Sequence, residues 1–117
     1  MAKPILIVDD NPNMSSLLSD MLEVFDFSSE RAGDGQEALD KLGTQPFSMV
    51  ITDMRMPNMT GLELIERIKE KYPKIPVVLI SGYSINEFDT DNGPRPDGFL
   101  AKPFMMSDVE KLLNSLL

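Results

Sequence analysis

The sequence predicts an α/β fold of (βα)5 type, a doubly wound parallel sheet of five strands with helices on both faces. Three observations predict it. Short β-branched and apolar runs alternate five times with stretches of helical periodicity. The first run, residues 4–8 (Pro-Ile-Leu-Ile-Val), is continuously apolar after its proline, as suits a strand covered on both faces. Four of the five strand-like runs also stop at polar residues: Asp9 and Asp10, Asp53, Ser81 and Lys102 close the first, third, fourth and fifth.

The elements follow in order. After the first strand, Asn11 is placed to cap a helix with Pro12 at its first position, and Met14, Leu17, Leu18, Met21, Leu22 and Phe25 recur at the spacing of a core-facing stripe. Residues 27–32 are more polar and read as an edge strand. Asp34 and Glu37 form a capping-box pattern ahead of Ala38, Leu39 and Leu42, and Gly43 closes that helix. Residues 47–52 make the third strand, ending at Asp53. Thr60 and Glu63 repeat the box before Leu62, Ile65, Ile68 and Tyr72. Lys69 and Lys71 then sit near the negative end of the helix dipole, and Pro73 stops the helix. Residues 77–80 form the fourth strand and 98–101 the fifth. Between them residues 84–88 can begin a helix, but Gly93, Pro94 and Pro96 limit it to about two turns. Ser107 and Glu110 are placed to cap a last helix that buries Val109, Leu112, Leu113 and Leu116. With no internal repeat, low-complexity block or long linker, residues 1–117 read as a single domain.

Composition narrows the chemistry. The chain has 117 residues, 42% of them apolar and 26% charged, as in an ordinary globular domain. It lacks both Cys and His, which removes disulfides, thiolate or imidazole metal sites and any His-based triad. No apolar run approaches the roughly 20 residues of a membrane span, and the start shows no signal-peptide core, so the expected compartment is the cytoplasm with no membrane partner. A net charge of −8 repels phosphate backbones, so direct nucleic-acid binding is not expected. A cation is the more natural ligand.

Parallel strands joined by crossover helices bring all their carboxyl ends to one edge of the sheet, where ligands bind at the switch in strand order. In the order 2-1-3-4-5 the first and third strands are neighbours about 4.8 Å apart, so Asp9, Asp10 and Asp53 converge. Two carboxylates about 4 Å apart repel by roughly 4 kcal/mol at an effective dielectric near 20. A positive partner is therefore needed. All-oxygen ligation favours Mg2+ over zinc, and Mg2+ characteristically takes few carboxylates together with a phosphate oxygen.

Four segments carry a resemblance: I-L-I-V-D-D at 5–10, D-M-R-M-P-N-M-T-G at 53–61, L-I-S-G-Y at 79–83 and G-F-L-A-K-P-F at 98–104. In this order and spacing the chain resembles a response-regulator receiver domain of two-component signalling, which implies a flavodoxin-like fold. The resemblance implies that Asp53 is the phosphoacceptor, taking a phosphoryl group from a histidine kinase or histidine phosphotransfer protein. It implies Mg2+ held by Asp10, by Asp53, by Asp9 mainly through a water, and by the main-chain carbonyl of Arg55. It gives Lys102 and Ser81 to the phosphoryl oxygens, a cis peptide between Lys102 and Pro103, and a two-state switch in which Ser81 moves inward and Phe99 turns. A downstream protein partner would read that switch, while the chain would catalyse only its own modification.

Two departures and two alternatives accompany the resemblance. The run D-T-D-N-G-P-R-P-D at 89–97 stands where the family has the second half of its fourth helix, which implies a short or displaced helix there. Arg55 and Tyr83, both large, flank the acceptor and imply slow loss of the phosphoryl group. One alternative is a receiver-like interaction module that is never phosphorylated. The other is a haloacid-dehalogenase-like phosphohydrolase, whose nucleophile lies in a D-x-D motif after the first strand, whereas this chain has Asp9 and Asp10 adjacent.

Overall fold

The computed structural model describes residues 3–81 and 96–117. The short helix expected at 84–88, Tyr83, and most of the 89–97 run lie outside the described residues. Within them, β1 (Ile5–Val8), β2 (Ser29–Ala32), β3 (Met49–Asp53), β4 (Val77–Ser81) and β5 (Gly98–Ala101) form one sheet in the order β2-β1-β3-β4-β5, with every pairing parallel. The helices are α1 (Pro12–Val24), α2 (Gly35–Leu42), α3 (Gly61–Lys71) and α4 (Met106–Leu116).

Side-chain alternation along the strands divides the core in two. Leu6, Val8, Val50, Val77 and Leu79 pack on one face with Ala38 and Leu42 of α2 and Leu64, Ile65 and Ile68 of α3. Ile5, Ile7, Ile51, Val78, Ile80 and Leu100 pack on the other with Leu18 and Leu22 of α1 and Val109 and Leu113 of α4. The central strands β1, β3 and β4 are buried along their whole length, whereas β2 exposes Glu30 and Arg31 as an edge strand does. Among the described residues no helix is long and apolar enough to cross a membrane.

The caps of the first three helices are those the sequence predicts. Asn11 accepts from the amides of Asn13 and Met14, Asp34 from Glu37, and Thr60 from Glu63. The last helix differs. It starts at Met106, and the Asp108 carboxylate reaches back to the Met105 amide at 2.8 Å, so Ser107 is inside the helix and does not cap it. Leu112 and Leu116 only flank the buried Val109 and Leu113.

Three further corrections concern α1, β2 and β3. Leu17 is 46% exposed and lies off the α1 core stripe, because Ser15, Leu18 and Leu22 take the buried side. The edge strand is two residues shorter than predicted because the chain before it is used to end α1. The Phe27 amide bonds to Leu22 O and the Asp26 amide to Glu23 O, the paired bonds of a Schellman motif, with Asp26 in the left-handed position at φ 67°. The third strand begins two residues later than expected and takes in Asp53, although Phe47 ahead of it is still buried.

Candidate functional site

Asp9 and Asp53 each lie one residue beyond the register pair Val8 and Thr52, so adjacent strands present them side by side at the carboxyl edge. Asp10 is the next residue, where the chain leaves the sheet to enter α1. Asp9 is buried, Asp53 is 9% exposed and Asp10 is exposed, and the three offer carboxylate oxygens that all lie within 4.8 Å of one another. Residues 44 positions apart in the chain are thus brought into one acidic pocket.

Lys102 enters the pocket from β5. Its amide donates to Ser81 O at 2.9 Å, extending the β4–β5 ladder, and its Nζ stands 3.4 Å from Asp53 Oδ1. The same Oδ1 accepts the Met54 amide at 2.8 Å. The Lys102–Pro103 peptide is cis, as the resemblance implied.

Asp9 Oδ1 accepts the Asn11 amide at 2.8 Å, while Asp9 Oδ2 is buried with no hydrogen-bond partner among the described residues. Burial pushes the Asp9 carboxyl above the usual carboxylate range. The Asn11 amide opposes that shift, the Asp53 charge adds to it, Lys102 opposes it, and Asp10 adds the smallest push. A buried carboxylate oxygen without a donor is costly unless a cation meets it. Three oxygen ligands at this spacing, one of them so exposed to that cost, fit a hard divalent cation of the Mg2+ type, and the chain has no cysteine thiolate or imidazole to favour zinc.

The remaining predicted residues surround this centre. Ser81 ends β4, buried at 4% exposure, in register with Ala101 beside Lys102. Arg55 is exposed in the loop after β3, two residues past Asp53. Phe99 lies in β5 opposite Leu79, partly buried and packed against the α2–α3 side of the core. Asp9, Asp10, Asp53 and Lys102 are therefore brought together, Ser81 shares their edge, and Phe99 sits three residues back along its strand. Sequence reasoning missed the two main-chain donors, the amides of Asn11 and Met54, which have no residue-type signature. It also missed the hydroxyl of Thr52, fully buried in β3, which lies 3.0 Å from Asp53 O and 3.8 Å from Met56 Sδ. A hydroxyl next to a buried carboxylate in an otherwise apolar strand was the available signal.

Comparison with known proteins agrees on one family. The family model described as the response regulator receiver domain matches residues 5–114. The response regulator receiver protein CpdR of Brucella abortus is 32% identical over 116 residues, covering 95% of this chain and 97% of that protein. The crystal structure of response regulator protein TrrA from Thermotoga maritima, in complex with Mg2+ and BeF, superposes with a TM-score of 0.87 at 31% identity, covering 98% of this chain and 99% of that one. The chemotaxis response regulator CheY4 of Vibrio cholerae superposes with a TM-score of 0.88 at 29% identity over the full length of both chains.

Proposed function

The chain belongs to the response regulator receiver domain family, and from that premise we propose that it is a phosphorylation-driven signalling switch, a single domain spanning 1–117, with Asp53 as its phosphoacceptor. The observation that carries the reading is the convergence of three carboxylates within 4.8 Å, with the Lys102 ammonium 3.4 Å from Asp53 alone among them as an ion pair. The similarity to a receiver that binds Mg2+ and BeF supports it.

In the proposed reaction an Asp53 carboxylate oxygen forms the new O–P bond as the P–N bond of a partner's phosphohistidine breaks, and the released imidazole takes a proton from solvent. Asp10, Asp53, the main-chain carbonyl of Arg55 and, through a water, Asp9 would hold Mg2+. Bound there, the ion supplies positive charge against the charge gathering on the transferred oxygens. Lys102 exchanges its contact with Asp53 Oδ1 for a phosphoryl oxygen, which its flexible stem allows. Ser81 donates its hydroxyl to a second phosphoryl oxygen, and the inward pull on the end of β4 frees space into which Phe99 turns. A histidine kinase or phosphotransfer protein would supply the phosphoryl group, and a downstream protein would bind the altered face. Neither alternative reading has support of its own: the adjacent carboxylates after β1 are not a D-x-D nucleophile motif, and every acceptor-site residue is present.

The test is incubation with acetyl phosphate and Mg2+ followed by intact-mass measurement. The chain gains about 80 Da, the mass of one phosphoryl group, and Asp53→Asn does not. Equal gain by the two proteins, or none by either, would contradict the assignment.

A further inference from the structure

We propose that Thr52 is a positioning residue for the acceptor, acting through the peptide unit between Asp53 and Met54; the inference rests on the reading of Asp53 given above. That peptide is held at both ends. Its carbonyl oxygen, Asp53 O, accepts from the Thr52 hydroxyl at 3.0 Å. Its N–H, from Met54, lies 3.1 Å from Ile80 O and 2.8 Å from Asp53 Oδ1. A peptide is planar, so turning the carbonyl turns the N–H with it. The Thr52 hydroxyl therefore governs, through one rigid plane, the hydrogen bond that sets the rotation of the acceptor carboxylate.

The start of α3 also packs against this carbonyl. Gly61 donates its amide to Met54 O at 2.9 Å and approaches so closely that a methyl group there would lie 2.4 Å from Asp53 O. The carbonyl thus has both a hydroxyl and a bare Cα close to it. Thr52 is fully buried, so water does not replace the bond if it is lost. The hydroxyl has one proton and a second acceptor within reach, Met56 Sδ at 3.8 Å, a weaker partner on the loop that follows. Phosphoryl transfer with little covalent assistance depends on where the attacking oxygen points, and small misplacements are expensive. A donor that fixes that direction thus belongs to the reaction although it touches no reacting atom.

The experiment compares wild type, Thr52→Val, Thr52→Ala and Thr52→Ser in the full chain. Val replaces the hydroxyl with a methyl, Ala removes bulk as well, and Ser restores the donor, so the result does not hang on one variant folding. Phosphoryl uptake from acetyl phosphate at saturating Mg2+ is followed by intact mass against acetyl phosphate concentration. The expected result is a maximal rate lowered by about tenfold in Val and Ala with an unchanged half-saturating concentration, and near-wild-type behaviour in Ser. In Mg2+-free protein the Met54 amide proton resonance is expected to move upfield in Val and Ala but not in Ser, independently of activity. A folded Val or Ala variant with the wild-type rate, a Ser variant as slow as Val, or an unmoved Met54 resonance would each overturn the role of Thr52. Failure of the wild type itself to take up phosphoryl would overturn the acceptor reading and this inference together, which separates the two failures.

Discussion

At the residue scale the pocket is shaped by what Asp9 lacks. Its Oδ2 is buried without a donor among the described residues, and burial raises its carboxyl above the usual range. The folded chain therefore holds the Asp9 proton more tightly than the unfolded chain does. Stability linked to Asp9 is present below the ordinary carboxylate range and is lost as pH rises through the raised folded value. In Mg2+-free buffer, denaturant titrations across that window should show Asp9→Asn losing less stability with rising pH than wild type. At neutral pH the variant should be more stable by about 1 kcal/mol, since an amide keeps the acceptor for the Asn11 amide and gives up the uncompensated charge. A variant less stable than wild type at neutral pH would show that the buried carboxylate is already satisfied. Mg2+ should raise the stability of the wild-type chain by about 1.4 kcal/mol at ten times its Kd. Asp9→Asn should need more of it, and thermal melts at stepped Mg2+ would read both effects.

Among elements, the ends of the helices explain most of what the sequence did and did not disclose. Asn11, Asp34 and Thr60 are residue types whose side chains cap, so α1, α2 and α3 were legible at their starts. The start of α4 was not, because Ser107 with Glu110 mimics a capping box while the real start relies on Asp108 bonding back to a main-chain amide. The end of α1 was hidden for a related reason: a Schellman turn needs a left-handed residue, usually Gly, and here Asp26 takes it at φ 67°. Asp26→Gly should therefore stabilise the chain by about 0.5–1 kcal/mol in equilibrium unfolding, by removing the Cβ clash of that conformation. A loss of stability instead would mean that the Asp26 side chain contributes more than its backbone conformation costs.

For the molecule as a whole, the topology was readable because continuous apolar runs and polar strand ends constrain a parallel sheet to bring Asp9, Asp10, Asp53 and Lys102 to one edge. What remained hidden are contacts with no periodic signature. Lys69 reads as a dipole partner at the end of α3, yet its Nζ bonds to Ile75 O and pairs with Asp97, which also accepts the Val77 amide at 2.7 Å. This clamp ties α3 to the entries of β4 and β5, at the far end of those strands from the acidic pocket. Which residues surround Asp53 was thus legible in outline, while the main-chain donors that orient it were visible only in three dimensions. The most direct measurement is chemical trapping of the phosphorylated chain: borohydride reduces an acyl phosphate to the alcohol, and peptide mass mapping then locates the altered residue. Homoserine at position 53 alone, and only after treatment with acetyl phosphate and Mg2+, is the predicted result. Trapping at position 9 or 10, or at no aspartate, would contradict it.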